Sequence, residues 1–93
     1  MDPKAVNNLF ILKIMVAKEL QKAGSVSINE FPNLIAKIIH YADIVGYLDD
    51  VSNYMIYLLD IININGDKVT LSEDGIRYLR TFEILANGVS KLP

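Results

Sequence analysis

Ile62-Asn63-Ile64-Asn65-Gly66-Asp67-Lys68-Val69-Thr70-Leu71 decides the fold of this chain. Apolar residues alternate with polar ones on both sides of a glycine, which is the two-residue rhythm of a half-buried strand and not the 3.6-residue rhythm of a helix. Gly66 and Asp67 are turn-forming residues, so the stretch folds back on itself as a hairpin. With Gly66-Asp67 at the turn centre, Ile64 faces Val69 and Ile62 faces Leu71, and all four apolar side chains fall on one face. Ser72 follows as a helix cap. In the helix it starts, Ile76, Leu79 and Phe82, joined by Tyr78 and Leu85, have the spacing of an inward face, and Asn87-Gly88 is the expected stop.

Upstream of position 62 the rhythm is helical. Asp2-Pro3 opens a long first helix in which Val6, Leu9, Phe10, Lys13, Ile14, Ala17, Leu20 and Gln21 lie three and four apart. Ile11, Leu12, Met15 and Val16 widen that stripe beyond one face, and Gly24 is placed to end it in a left-handed cap. Ser25-Val26-Ser27-Ile28 reads as a very short strand. Asn29 is the expected cap of a second helix carrying Phe31, Leu34, Ile35, Ile38 and Ile39, with Pro32 tolerated in its first turn and Gly46 as the following break. Asp49-Asp50 caps an expected third helix that buries Val51, Met55, Leu58, Leu59 and Ile62 and turns Ser52, Asn53, Tyr54 and Tyr57 outward.

The order helix, short strand, helix, helix, hairpin, helix resembles the winged helix-turn-helix domains common among prokaryotic transcription regulators. The segment Val69-Thr70-Leu71-Ser72-Glu73-Asp74-Gly75 looks like the run of leucine, Thr or Ser, two polar residues and glycine that closes the wing in many of them. Such a run has a physical logic: the strand ends on an apolar residue, the hydroxyl caps the helix, and a glycine in the first turn lets the helix pass close to the wing. The resemblance spans roughly residues 5 to 86. It implies a mostly α chain with a small β-hairpin (α+β), namely three helices, a short strand, a wing and a C-terminal helix. It also implies a third helix that enters the major groove, with Ser52, Asn53, Tyr54 and Tyr57 as its DNA-facing positions, and a wing tip of Asn65, Gly66, Asp67 and Lys68.

Composition bounds this reading. Ninety-three residues with 52% hydrophobic content supply one core, so residues 1–93 are read as a single domain with apolar surface left over for a partner. The absence of cysteine excludes disulfides, thiolate metal sites and cysteine nucleophiles. The apolar run at residues 9 to 17 is broken by Lys13 and too short to span a bilayer, which makes a soluble, cytoplasmic protein without membrane contact the expectation. The net charge is −2, and residues 38 to 67 hold no Lys or Arg while Asp43, Asp49, Asp50, Asp60 and Asp67 fall there. Lys68 is the cation left at the wing.

No reaction chemistry stands out. His40 with Asp43 makes at most two metal ligands, Asp49-Asp50 is explained by one cap, and no glycine-rich phosphate loop or nucleophile elbow occurs. No enzyme, cofactor or metal is expected. Arg77, Arg80 and Lys91, like Lys13, Lys18 and Lys22, read as solvated charges. Two functions follow: a small DNA-associated transcriptional regulator acting as a homodimer through its first and last helices, or a winged-helix module that binds another protein through the acidic, tyrosine-bearing third helix.

Overall fold

The computed structural model describes the backbone of residues 3–41 and 56–90, and the side chains of residues 9–40 and 56–87. The chain is mostly helical with a small antiparallel sheet. Helix α1 spans Pro3–Ala23, strand β1 Val26–Ser27, helix α2 Phe31–Tyr41, a single 3₁₀ turn Ile56–Leu58, strands β2 Ile62–Asn65 and β3 Lys68–Leu71, and helix α3 Glu73–Ser90.

Leu12, Val16, Ala17 and Leu20 form the fully buried face of α1. The helix ends where the sequence places its stop: Gly24 adopts φ 83° and its amide donates to the Leu20 carbonyl at 2.8 Å. That backbone conformation is open to glycine at little steric cost. Phe31, Ile35 and Ile38 of α2 close over the same core, at the i, i+4, i+7 positions that put them on one stripe. The cap of α2 differs from the expected Asn29. Ser27 takes the Asn29 amide on its hydroxyl and the Glu30 amide on its carbonyl, so the chain makes a turn first; Glu30 is the residue whose carbonyl receives the Leu34 amide. Side-chain bonding of this kind competes with helix and moves its start by one residue.

The sheet has the order β1-β3-β2. Its hairpin register is the expected one, with Ile62 opposite Leu71 and Ile64 opposite Val69, and β1 adds Val26 opposite Val69. Burial is uneven across that face: Val69 and Ile62 are buried, Leu71 is half-buried and Ile64 is exposed. The cause is position, since β3 is central and packs on α1 whereas Ile64 lies toward the tip of the edge strand.

The expected third helix is described only at its end. Gly46, Asp49, Asp50, Val51, Ser52, Asn53, Tyr54 and Met55 lie outside the described residues. From Ile56 the chain makes one 3₁₀ turn and leaves helical geometry, with the Ile61 amide donating to the Leu58 carbonyl at 3.1 Å. Leu58 is buried as the spacing suggests, but Leu59 is 56% exposed and Ile61 takes the buried place instead. A three-residue turn advances each side chain by about 120° where an α-helix advances it by about 100°, and the phase of the apolar stripe is lost.

Helix α3 also departs from expectation. It runs through Asn87 and Gly88 to Ser90, because a helical glycine costs about 1 kcal/mol relative to alanine and does not by itself stop a helix. Its buried line is Gly75, Leu79 and half-buried Phe82, while Ile76 at 39% and Leu85 at 63% are exposed, against the inward places expected for them. Gly75 sets this rotation. A Cβ there would fall on the Ile61 carbonyl oxygen and 2.6 Å from Leu71 Cδ1, so the helix approaches the sheet along its glycine and swings Ile76 aside. Gly75→Ala should therefore destabilise the fold by about 1–3 kcal/mol despite alanine's better helix propensity, read as a lower urea midpoint at unchanged slope.

Candidate functional site

Two surfaces carry the polar and apolar features that a partner would meet. The first is the hairpin tip. Asn65, Gly66, Asp67 and Lys68 are all exposed, and Gly66 takes φ 61° to make the turn. The Asp67 carbonyl accepts the Ile28 amide at 2.7 Å, and Lys68 lies opposite Ser27 on one side and Asn65 on the other. The tip is thus held to the segment that leads into α2. Of the other positions the resemblance assigned to DNA, Tyr57 is half-buried in the 3₁₀ turn, and Ser52, Asn53 and Tyr54 lie outside the described residues.

The second surface lies where α1 crosses α3. Phe10 meets Tyr78 and Phe82 edge-on, with ring centroids 6.0 and 6.2 Å apart, a geometry that sets the positive ring edge against a negative face. Beside them runs a groove of about 380 Å³ whose walls include Phe10, Ile61, Tyr78, Phe82 and Leu85. A smaller, wholly apolar hollow of about 150 Å³ continues it along Ile11, Ile14 and Met15. Phe10, Ile11 and Leu85 are exposed along this band, and Ile84 is exposed on the same helix as Leu85.

One polar cluster borders the groove. Lys13 Nζ lies 2.8 Å from Asp60 Oδ2 and 5.2 Å from the centre of the Tyr78 ring, so one ammonium bridges α1, the turn before β2, and α3. Burial raises the Tyr78 phenol above its ordinary 10.0, and the Asp60 carboxylate adds to the rise because a second negative charge nearby opposes ionisation. Sequence reasoning grouped Lys13 with the solvated lysines. The available signal was its place between Leu12 and Ile14, in the middle of the apolar stripe, where a lysine needs either a route to water or a partner.

Arg77 pairs with Asp74 on the same helix, whereas Arg80 is exposed; Lys91 and Asp43, the proposed neighbour of the exposed His40, lie outside the described residues. Among the described residues no group of three or more His, Asp or Glu is placed to hold a metal ion, and no helix is long and apolar enough to cross a membrane. Comparison with protein-family models, with curated proteins and with solved structures finds no match for this chain.

The Tyr78 shift gives a signed prediction. A phenol that ionises less readily in the folded chain than in the unfolded one contributes stability that is whole below pH 10.0 and is lost as the pH rises through the higher, folded-state value. Stability followed into strong alkali should fall less steeply in Tyr78→Phe than in the parent. Asp60→Asn should bring the Tyr78 titration, followed by NMR, part of the way back toward 10.0, because desolvation, the larger cause, remains.

Proposed function

We propose that this chain is a small winged-helix regulator that associates with duplex DNA as a homodimer. The observation that carries the reading is the union of β1 with the hairpin: the strand between α1 and α2 pairs with β3, and Ile28 bonds the turn, so a polar, exposed tip is fixed relative to α2. A wing held in that way can reach a phosphate backbone beside the third helix that the resemblance implies. Lys68 is its phosphate contact, and Asn65 and the Gly66 backbone complete the tip. Ser52, Asn53, Tyr54 and Tyr57 are the groove-facing positions of the same reading.

The dimer half of the proposal rests on the apolar band. Phe10 and Ile11 on α1 and Ile84 and Leu85 on α3 would be poor solvent-facing choices for a chain that stays alone, and a second copy covering their exposed parts would return a fraction of the about 1.5–3 kcal/mol that full burial of such a side chain is worth. Lys18 borders the band, its ammonium 5.8 Å from the centre of the Phe82 ring, and a two-fold contact would set the same patch of each copy against the other. The second reading, a protein-binding module, has its own support: Ile56 and Leu59 are exposed on either side of Tyr57 at the described end of the acidic segment.

Sedimentation and a gel shift with duplex DNA at low salt separate these readings. The regulator should sediment as a dimer and retard DNA, and Ile11→Glu or Leu85→Glu, both at exposed positions, should give a folded monomer with weakened DNA binding. Lys68→Ala should lower the dependence of log affinity on log salt by about 1 for each tip engaged. A monomer indifferent to duplex DNA at every salt concentration would sink the proposal and leave the protein-binding reading standing.

A further inference from the structure

The chain contains two Asn-Gly pairs, Asn65-Gly66 and Asn87-Gly88, and the fold gives them opposite backbone settings. Asn65 is the last residue of β2, exposed, with Gly66 in the turn beyond it at φ 61° and nothing within 4 Å of where a Cβ would stand. The ladder pairs Asn65 with Lys68, which leaves the Gly66 amide outside it, and no hydrogen bond to another described residue engages that nitrogen. Asn87 and Gly88 lie inside α3, where each amide donates to the carbonyl four residues back and the helical ψ holds a residue's own Cγ away from the next nitrogen. The related Asp74-Gly75 pair is held as well, with the Gly75 amide on Ser72 Oγ at 2.9 Å.

From this contrast we infer that Asn65, at the tip of the hairpin, is a site of spontaneous deamidation through a cyclic imide. The Gly66 nitrogen attacks Asn65 Cγ. The new N–Cγ bond forms, the Cγ–Nδ2 bond breaks, and the side-chain nitrogen leaves as ammonia with the proton given up by the Gly66 amide. Water then opens the five-membered imide at either carbonyl. Opening at Cγ leaves aspartate; opening at the backbone carbonyl leaves isoaspartate, with the main chain rerouted through the former side chain.

No oxidant, enzyme or cofactor is required, and the balance is one ammonia lost and one water gained. Glycine is what makes the attack easy, because it brings no Cβ to crowd the ring and nothing stands within 4 Å of where one would be. Either product sets a new carboxylate beside Asp67 and across the ladder from Lys68. Isoaspartate also adds a backbone methylene at the last rung of the hairpin. The consequence for phosphate binding, a tip that loses its attraction as the protein ages, rests on the DNA reading above; the modification does not.

Peptide mapping by mass spectrometry after incubation in mildly alkaline buffer, on the intact folded chain and in parallel in concentrated urea, tests the inference. In the folded protein Asn65 should convert about tenfold or more faster than Asn87, since the helix must open before Asn87 can react. In urea the two should convert at similar rates. Isoaspartate, recognised by its diagnostic backbone fragments, should accompany aspartate at position 65, and Asn65→Gln should suppress conversion there while leaving Asn87 unchanged. Equal rates at the two asparagines in the folded chain, or an Asn65 that folding protects as strongly as Asn87, overturns the inference. These masses are read without DNA, so they decide the modification whether or not the chain binds a duplex.

Discussion

Ser72 uses every hydrogen-bonding group it has. Its amide donates to the Ile61 carbonyl, its hydroxyl donates to the Asp60 carbonyl and accepts from the Gly75 amide, and its own carbonyl receives the Ile76 amide, all at 2.9 Å. A single buried side chain thereby starts α3, closes the turn that precedes β2, and fixes the end of β3. Losing the hydroxyl would leave the Asp60 carbonyl and the Gly75 amide without that partner, and an unsatisfied buried group costs about 1–3 kcal/mol. Gly75 is the steric half of the same constraint. The cap brings the first turn of the helix against the Ile61 carbonyl, and only a residue without a Cβ fits there.

What α3 buries, and what it leaves bare, follows from that anchoring. With Gly75 pressed to the sheet, the inward line runs through Leu79 to Phe82, and Ile84 and Leu85 lie on turns past the last fully buried side chain. Phe10 and Ile11 of α1 are exposed along the same band, between Leu9, which packs against the core, and fully buried Leu12. Lys13 borders the groove: reaching Asp60 beside the Tyr78 ring lets a lysine sit in an apolar stripe without an unpaired charge. With Asp60 largely in solvent, the pair adds little stability, and its effect is to position the turn that feeds the hairpin.

The parts of the fold that could be read from sequence were those governed by hard local rules. Strand register was legible because a one-residue slip would turn every apolar side chain of Ile62, Ile64, Val69 and Leu71 to the wrong face. The Gly24 stop was legible because few residues accept its left-handed backbone, and the Ser72 cap because few side chains can accept a first-turn amide. The close approach at Gly75 was legible in the run from Leu71 to Gly75, but apolar spacing alone does not carry the helix rotation it imposes, and Ile76 was misplaced. Leu59 was misplaced, and Ile61 missed, because a 3₁₀ turn changes the phase of the side chains and nothing in the pattern announces it. The Lys13–Asp60 pair joins residues 47 apart in the chain, beyond any local rule. Of the candidate DNA positions, the structure places Tyr57 and Lys68 on different elements, the 3₁₀ turn and the hairpin.

Charge constrains how a chain of this kind could hold DNA. With a net charge of −2 and one lysine at the tip, a single copy would neutralise few phosphates, and its affinity would vanish at modest salt. Two copies joined through α1 and α3 change the arithmetic without adding a cation per chain, because the second tip binds at the effective concentration set by the first. A rigid dimer also restricts productive binding to sites whose spacing matches the two tips, which gives selectivity that weak phosphate contacts cannot supply alone. If two copies do pair in the proposed way, the apolar band and the sparse positive charge would belong together, because a tip with a single lysine would be useful on DNA only in a pair.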